Sequence, residues 1–414
     1  MYRLSSSIRV RSADESLVLA RNISRKMGIT RVTDITWLDK IGMPVFAGIR
    51  PYAAQGSLNV HNGKGLRPSE AKIGAYMESI EFSLAESKKH QHNIKKYSLK
   101  DVQATLPPGL PFSSFGAKLG MSFSPEDEVH CVMATDVISG SESLIPAELI
   151  FHPVNLVGQR SFFGGTTTNG LCSGNSKLEA IIHGMCEVLE RDVKSFNIIN
   201  DTSALVDRNT EPESIQGLRK KIEDAGLILS LRKTNNEFII PYYSAFVLEH
   251  DERSAISIAD GYGLHPIAEI AATRAVTEAA QSRLTHIHGG RDDIVKRINF
   301  YQDNPGFDEF KVMKTVRQKI TSNSRMTDFY VPSEQDLLPE SIEAMWELIK
   351  GKMASAGLHH CFVYVLSPAD FPFCVLRVVI PFAEFIDIEM KRVGHRFINR
   401  FQNNKKSESG INYA

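Results

Sequence analysis

The sequence predicts an α+β fold. Helix-period segments and short β-branched runs are mixed along the chain without the regular strand–helix–strand rhythm of a parallel sheet. A glycine-rich stretch followed by an apolar helix with polar residues at helical spacing also occurs three times.

Taken in order, the first element predicted is a helix from about Asp14 to Lys26, stopped by Gly28. The stretch GITRVTDITWLDKIGMPVFAGIRP alternates β-branched and polar residues around Gly42 and Pro44 and reads as two strands. Ser57–Val60 reads as another strand, broken by a loop at His61-Asn62-Gly63-Lys64-Gly65. Pro68 suits a first helical turn and opens a helix running to about Lys89. Leu106 to Leu156 is richer in Pro, Gly and Ser and reads as strands joined by loops. A second glycine loop, Gly164–Ser176, leads into a helix from Lys177 to about Phe196. A helix over Pro212–Ala225 and strands over Gly226–Arg232 and Phe238–Leu248 follow. A third loop, Asp260-Gly261-Tyr262-Gly263, precedes a helix from Ala268 to about Thr285. A helix near Ser341–Ala356 and strands near Cys361–Leu366 and Val375–Ile380 complete the pattern, and from Asn403 the chain is polar and expected to fray.

Composition narrows the function classes. Of 414 residues, 42% are hydrophobic and 23% charged, ordinary globular values. The formal net charge of zero gives no basic surface for nonspecific binding to nucleic acid or anionic membrane. No signal-like run and no apolar stretch of about 18 residues occurs, so a soluble cytoplasmic protein is expected. Cys131, Cys172, Cys186, Cys361 and Cys374 are widely spaced without a CxxC. That is the pattern of packing residues in a reducing compartment, not of a disulfide framework or thiolate zinc site.

The three helices carry the chemistry. Glu78 and Glu81 stand three apart on the first; Glu187 and Glu190 do so on the second, with Arg191 adjacent; Arg274, Glu278 and Gln281 lie at i, i+4 and i+7 on the third. Their neighbours are apolar nearly all round: Ala75, Met77, Ile80 and Leu84; Ile181, Ile182, Met185, Val188 and Leu189; Ile270, Ala271, Ala275, Val276, Ala279 and Ala280. Such helices are expected to be buried. Paired carboxylates on a buried helix repel one another and lose hydration, so they need cations, and oxygen-only ligands suit Mg²⁺. A solvated helix edge is the bland alternative for any one pair; two pairs on apolar helices weigh against it. The Asn62-Gly63-Lys64-Gly65 and Ser173-Gly174-Asn175 loops are expected to offer N–H groups, and at Lys64 a charge, to an anion such as a nucleotide phosphate. No GxxxxGK[ST], GxGxxG after a strand, HExxH or GxSxG is present, so the common nucleotide folds, zinc proteases and serine hydrolases gain no support.

The blocks GITRVTDITWLDKIGMPVFAGIRP, NGKGLRPSEAKIGAYMESIE, TNGLCSGNSKLEAIIHGMCEVLERD and AEIAATRAVTEAAQSR resemble the YcaO family in content and order, from about residue 8 to 293. The resemblance implies a YcaO-like α+β fold, with an ATP site between convergent helices and mixed sheets. It implies ATP and Mg²⁺ as cofactors, with Glu78, Glu81, Glu187 and Glu190 on the metal and Arg191 and Arg274 toward the phosphates. A basic residue and a Ser/Thr seven positions later correspond to Arg9 and Ser16, with Arg11 an equally near candidate. Lys64, Asn175, Glu278 and Gln281 match further motif positions. Residues 1–60 are then expected to contribute to the nucleotide site, 61–402 to form the catalytic core and 403–414 a flexible tail.

The implied chemistry is ATP-dependent activation of a peptide backbone amide by O-phosphorylation. Two departures shape the expectation. Gly74 stands where the family often has Ser, and the chain reads KKSESGINYA where azoline-forming members often have a proline-rich tail. The ITRVTDITWLDKIGMPV stretch looks more like YcaO proteins that work with TfuA in thioamidation. Expected partners are a peptide or protein substrate and a TfuA-like sulfur-delivery protein or a leader-binding protein, with homodimerisation left open and neither nucleic acid nor membrane involved. An azoline-forming cyclodehydratase acting on Cys, Ser or Thr, and an ATP-binding adaptor for another enzyme, stand as alternatives.

Overall fold

The computed structural model describes residues 2–154, 160–254, 256–291, 299, 302–304, 306, 308–331, 339–387 and 389–409. The chain forms two compact units, both discontinuous in sequence. The first comprises Met1–Ala53, Leu58–Ser83 and Thr202–Leu348; the second comprises Ala54–Ser57, Leu84–Asp201 and Ile349–Ala414. This division follows packing, whereas the sequence division at residues 60 and 402 followed motifs, and the two do not coincide.

In the first unit, the helix Ala13–Ser24 starts at a capping box in which Ser12 Oγ accepts from Glu15 N while Glu15 accepts from Ser12 N. It gives way to a short 3₁₀ turn that Gly28 ends at φ 75°. The strands Arg31–Asp34, Val45–Ile49 and Val60–Lys64 form an antiparallel sheet in that order. A second sheet runs Ile258–Leu264, Tyr242–Glu249, Leu227–Lys233, Ala204–Val206 and Met326–Thr327, antiparallel except for its last pair. The helix Ala268–His288 lays Ala271, Ala272, Ala275, Val276 and Ala279 in one core with Leu229, Leu231, Tyr243 and Val247.

The second unit is built on the sheet Lys95–Ser98, Glu128–Asp136, Phe362–Val365, Cys374–Val379 and Leu171–Gly174, with Glu142–Pro146 paired to Glu128–Asp136. The helix Lys177–Ile199 packs on its Leu171–Gly174 and Cys374–Val379 strands. The mixture of antiparallel sheets and helices is the α+β architecture expected.

The predicted glycine loops need correction. Val60–Lys64 is the strand, so His61, Asn62, Gly63 and Lys64 form the element they were expected to break, while Ser57–Asn59, expected as strand, lie outside it. Asp260, Gly261, Tyr262 and Gly263 lie within the strand Ile258–Leu264, and Leu171–Gly174 is a strand inside the second predicted loop. The glycines serve close packing of a helix on a strand. A Cβ on Gly63 would overlap the backbone of Ala71 and Ala75, one on Gly263 the Ala271 carbonyl, and one on Gly174 the Ala180 nitrogen. The last helix, His395–Ser409, also runs through residues expected to fray, while 410–414 fall outside the described residues.

Candidate functional site

The site residues of the first unit gather around the strand Val60–Lys64. Glu78, on the helix Pro68–Ala85, accepts the Asn62 N–H at 2.9 Å. From the helix Ala268–His288, Gln281 Nε2 donates to Asn62 O at 2.8 Å, and Thr285 Oγ1 accepts from Asn62 Nδ2 at 2.8 Å. One strand residue therefore links the carboxylate helix to the third helix. Two positions on, Lys64 Nζ lies 2.6 Å from Glu278 Oε2, with both side chains 23% exposed. Lys64 thus has a carboxylate partner, and the Asn62 N–H serves Glu78, where the sequence reading offered both to an anion. Glu81 is half-buried on the same helix.

Arg274 is differently placed. Its Nε is buried and has no hydrogen-bond partner among the described residues. A buried guanidinium N–H left without an acceptor is costly unless a ligand supplies one, and a phosphate oxygen is a strong acceptor for it. Burial, and then the charge of Arg274, push the neighbouring His265 down to about 3, with further contributions from Arg3 and Arg9. Arg3, Arg9 and Arg274 therefore all bring positive charge to bear on this buried neutral imidazole, whose Nδ1 accepts the Ile267 N–H at 3.0 Å. Arg9 Nε also donates to Ser7 Oγ at 3.2 Å. Ser16 is buried and turns its hydroxyl to Ser12 O at 2.9 Å.

The second unit carries its own set on the helix Lys177–Ile199. Glu190 is 2% exposed; Glu187 and Arg191 are half-buried. The Gly170 N–H donates to Glu187 Oε1 at 3.4 Å. The loop carrying it is organised by Arg377, which is 1% exposed and donates to Ile150 O at 2.9 Å, to Asn169 O at 2.8 Å and to Thr167 O. Burial pulls Arg377 down to about 10, and the Glu187 charge is the first of the groups opposing that fall. Arg377, on a strand distant in sequence, thus adds positive charge in the neighbourhood of Glu187. Asn175 turns its N–H and its Nδ2 to Glu179 Oε1 at 3.0 and 3.2 Å, so this N–H too is engaged within the protein.

Sequence reasoning missed Thr285, Arg377 and Glu179 as supporting residues, and singled out Asn62 only for an N–H toward an anion. A signal existed for Glu179. Glu70, Glu179 and Glu269 all stand in the first turn of their helices, and each meets partners from outside the helix. Ser5 N donates to Glu70 at 3.3 Å, and Ser214 Oγ and Tyr330 Oη donate to Glu269 at 2.8 and 2.9 Å.

Among the described residues no three His, Cys, Asp or Glu side chains are gathered to hold a metal by themselves. Mg²⁺ needs no such cage, because it keeps several waters and uses one or two carboxylates together with substrate phosphates. The buried unpartnered Arg274 Nε and the oxygen-only pairs fit a magnesium nucleotide. Nucleophilic cysteine chemistry has little support: Cys131, Cys172, Cys186 and Cys361 are buried, and burial raises the thiols of Cys131, Cys361 and Cys374. No helix among the described residues is long and apolar enough to cross a membrane.

An uncharacterized protein of Methanothermobacter thermautotrophicus is 33% identical over 373 residues, covering 89% of this chain and 93% of its own length. A Rhizobium leguminosarum bv. trifolii protein described as "Uncharacterized protein in tfuA 3'region" is 28% identical over 387 residues, covering 91% of this chain and 88% of its own. In structure the chain is similar to YcaO from Methanopyrus kandleri bound with AMPPCP and Mg²⁺, at a TM-score of 0.73 and 23% identity, over 95% of this chain and 97% of that one. The family model described as "YcaO cyclodehydratase, ATP-ad Mg2+-binding" matches residues 62–384, and the chain belongs to the YcaO family.

Proposed function

We propose that this chain activates a peptide backbone amide with ATP, and that its product is a thioamide. The observation that carries the nucleotide reading is the buried, unpartnered Nε of Arg274, on the helix whose Gln281 is joined to Glu78 through Asn62. In this reading Glu78, Glu81, Glu187 and Glu190 hold Mg²⁺, and Arg191 and Arg274 neutralise phosphate charge. Arg9 adds positive charge near Arg274. Ser16, Lys64, Asn175 and Glu278 keep supporting roles through the bonds described.

An amide oxygen is a poor leaving group. Sulfide adds to the carbonyl carbon, the displaced electron pair goes to oxygen, and that oxygen takes the γ-phosphoryl group of ATP, releasing ADP. Phosphate then leaves with the oxygen, and C=S forms. The protein contributes position and charge neutralisation. The thioamide choice is supported by the relative encoded beside tfuA, which makes a TfuA-like sulfur-delivery partner the expected companion. The family description favours a second reading, cyclodehydration of Cys, Ser or Thr to an azoline, and an ATP-binding adaptor is a third.

Mass spectrometry of a candidate peptide incubated with the chain, ATP, sulfide and partner separates these readings. Exchange of oxygen for sulfur supports thioamidation. Loss of one water without added sulfide overturns it in favour of the azoline. ATP binding without turnover under any of these conditions favours the adaptor.

A further inference from the structure

The helix Lys177–Ile199 is gripped on a side away from its carboxylates. At about 100° per residue, Asp192 and Phe196 lie on the side opposite Glu187 and Glu190, and Ser195 lies between, about 40° from Arg191. Asp192, Ser195 and Phe196 all meet the stretch that follows the strand Cys374–Val379. Asp192 is 1% exposed, and its Oδ1 accepts both Arg396 Nη1 and the Glu384 N–H, each at 2.6 Å. The same Arg396 nitrogen donates to Phe382 O at 3.0 Å. Ser195 Oγ lies 2.7 Å from Arg191 O and 3.4 Å from Glu384 O, and accepts the Ile386 N–H at 3.1 Å. The guanidinium groups of Arg396 and Arg400 lie 5.1 and 4.8 Å from the Phe196 ring centre. Glu384 in turn accepts the N–H groups of Gly394 and Phe397 at 2.8 and 2.9 Å, tying the strand end to the start of the helix His395–Ser409.

We propose that Phe382–Ile386 together with Gly394–Arg400 form a clasp, with Arg396 its positioning residue, that fixes the rotation of the carboxylate helix and hence the direction of Glu187, Glu190 and Arg191. This role rests on the nucleotide reading above. An ion pair whose carboxylate is buried is a poor device for stability alone, because the carboxylate's desolvation offsets the attraction. What it supplies is direction: Asp192 is satisfied at one helix rotation and left as a buried, unpaired charge at others. The Ser195 hydroxyl reinforces this, since it joins the clasp to the carbonyl of Arg191 itself.

Two measurements on the full chain test the clasp: amide hydrogen exchange across Glu187–Arg191 without nucleotide, and calorimetric titration with Mg-ATP. Arg396→Met is expected to speed exchange there at least about tenfold and to weaken Mg-ATP binding. Arg396→Lys should restore most of both, because an ammonium still pairs with Asp192. Ser195→Ala should act in the same direction with smaller effect, and it decides the matter if Arg396→Met does not fold. Unchanged exchange in Glu187–Arg191, or unchanged Mg-ATP affinity in a variant of a binding-competent chain, overturns the clasp. So does equal loss in the Met and Lys variants. A wild-type chain that fails to bind Mg-ATP overturns the nucleotide reading and the role built on it. That outcome is told apart from failure of the clasp because the exchange comparison uses no nucleotide.

Discussion

The helices Pro68–Ala85 and Lys177–Ile199 carry glutamates at the same spacing, yet each supports them differently. Half-buried Glu78 accepts the Asn62 backbone N–H, and Asn62 in turn is bonded to Gln281 and Thr285. Glu187, by contrast, lies in the field of a buried guanidinium, beside a glutamate only 2% exposed. One sequence pattern is therefore met by different partners on the two helices, and the two should respond differently to loss of those partners.

The largest expected contrast is with acid. Burial holds His61 and His265, both in the first unit, down to about 3 from an ordinary value of 6.5. Each is neutral when folded and gains a proton on unfolding below 6.5, so the stability it contributes is full above that value and falls as pH drops toward 3. At pH 5 the loss is about 2 kcal/mol for each histidine. In the second unit His152, held near 4, acts with the same sign. Asp192 acts with the opposite sign, because burial raises its carboxyl toward 7 and its unfavourable ionisation is relieved as pH falls. Urea unfolding at pH 7.5 and 5, followed by tryptophan fluorescence, reads the first unit, since Trp37 and Trp346 both belong to it. A midpoint that does not fall at pH 5 would remove the contrast.

Next comes loss of the buried cation. Arg377→Met should cost about 3 kcal/mol or more, since three carbonyls lose a donor and Glu187 loses its opposing charge. Asn62→Ala, which removes only the Nδ2 bond to Thr285 and keeps the backbone N–H on Glu78, should cost about 1 kcal/mol. Equal costs in denaturant titrations would mean that Arg377 matters no more than a single hydrogen-bond donor.

At the level of activity, Glu190→Gln keeps the shape and removes one charge. ATP turnover or Mg-ATP affinity should fall at least about tenfold, or roughly 1.4 kcal/mol. Arg191→Lys and Arg274→Lys should leave activity low, because a point charge replaces a planar fork; full activity in either would mark that arginine as an ordinary ion-pair partner. The smallest effect is expected from deleting Lys405–Ala414, which leaves the clasp residues through Arg400 in place. Turnover should change by less than about twofold, or ~0.4 kcal/mol, and its abolition would show that the distal part of the last helix is needed.

Much of this was legible locally. Helical spacing located the toothed helices, and Ile270, Ala275, Val276 and Ala279 are buried as their periodicity required. The Gly28 stop and the strands at Arg31–Asp34 and Val45–Ile49 also follow from short-range rules. The glycine segments were misread because the same residue serves a turn and a close helix–strand approach, and only the partner tells them apart. Nothing near Gly63 in sequence announces that Ala71 and Ala75 will press against it. The pairing of Lys64 with Glu278, of Glu187 with the field of Arg377 and of Asp192 with Arg396 joins residues remote in sequence. Periodicity carries no information about such pairs.

The interleaving of the two units has a consequence for synthesis. Asn62 leaves the ribosome well before its Thr285 partner, which is made 223 residues later. At about 5–20 residues per second, that is a wait of roughly ten seconds or more. During it, the strands from Arg31 to Lys64 lack the helix Ala268–His288, whose Leu284 packs with Val45 and Ala47, while Leu84–Asp201 emerges between them and would begin on a different unit. Early production should therefore place heavy demand on chaperones that shield apolar segments, and slowed translation before residue 288 should lower the soluble yield more than slowing after it.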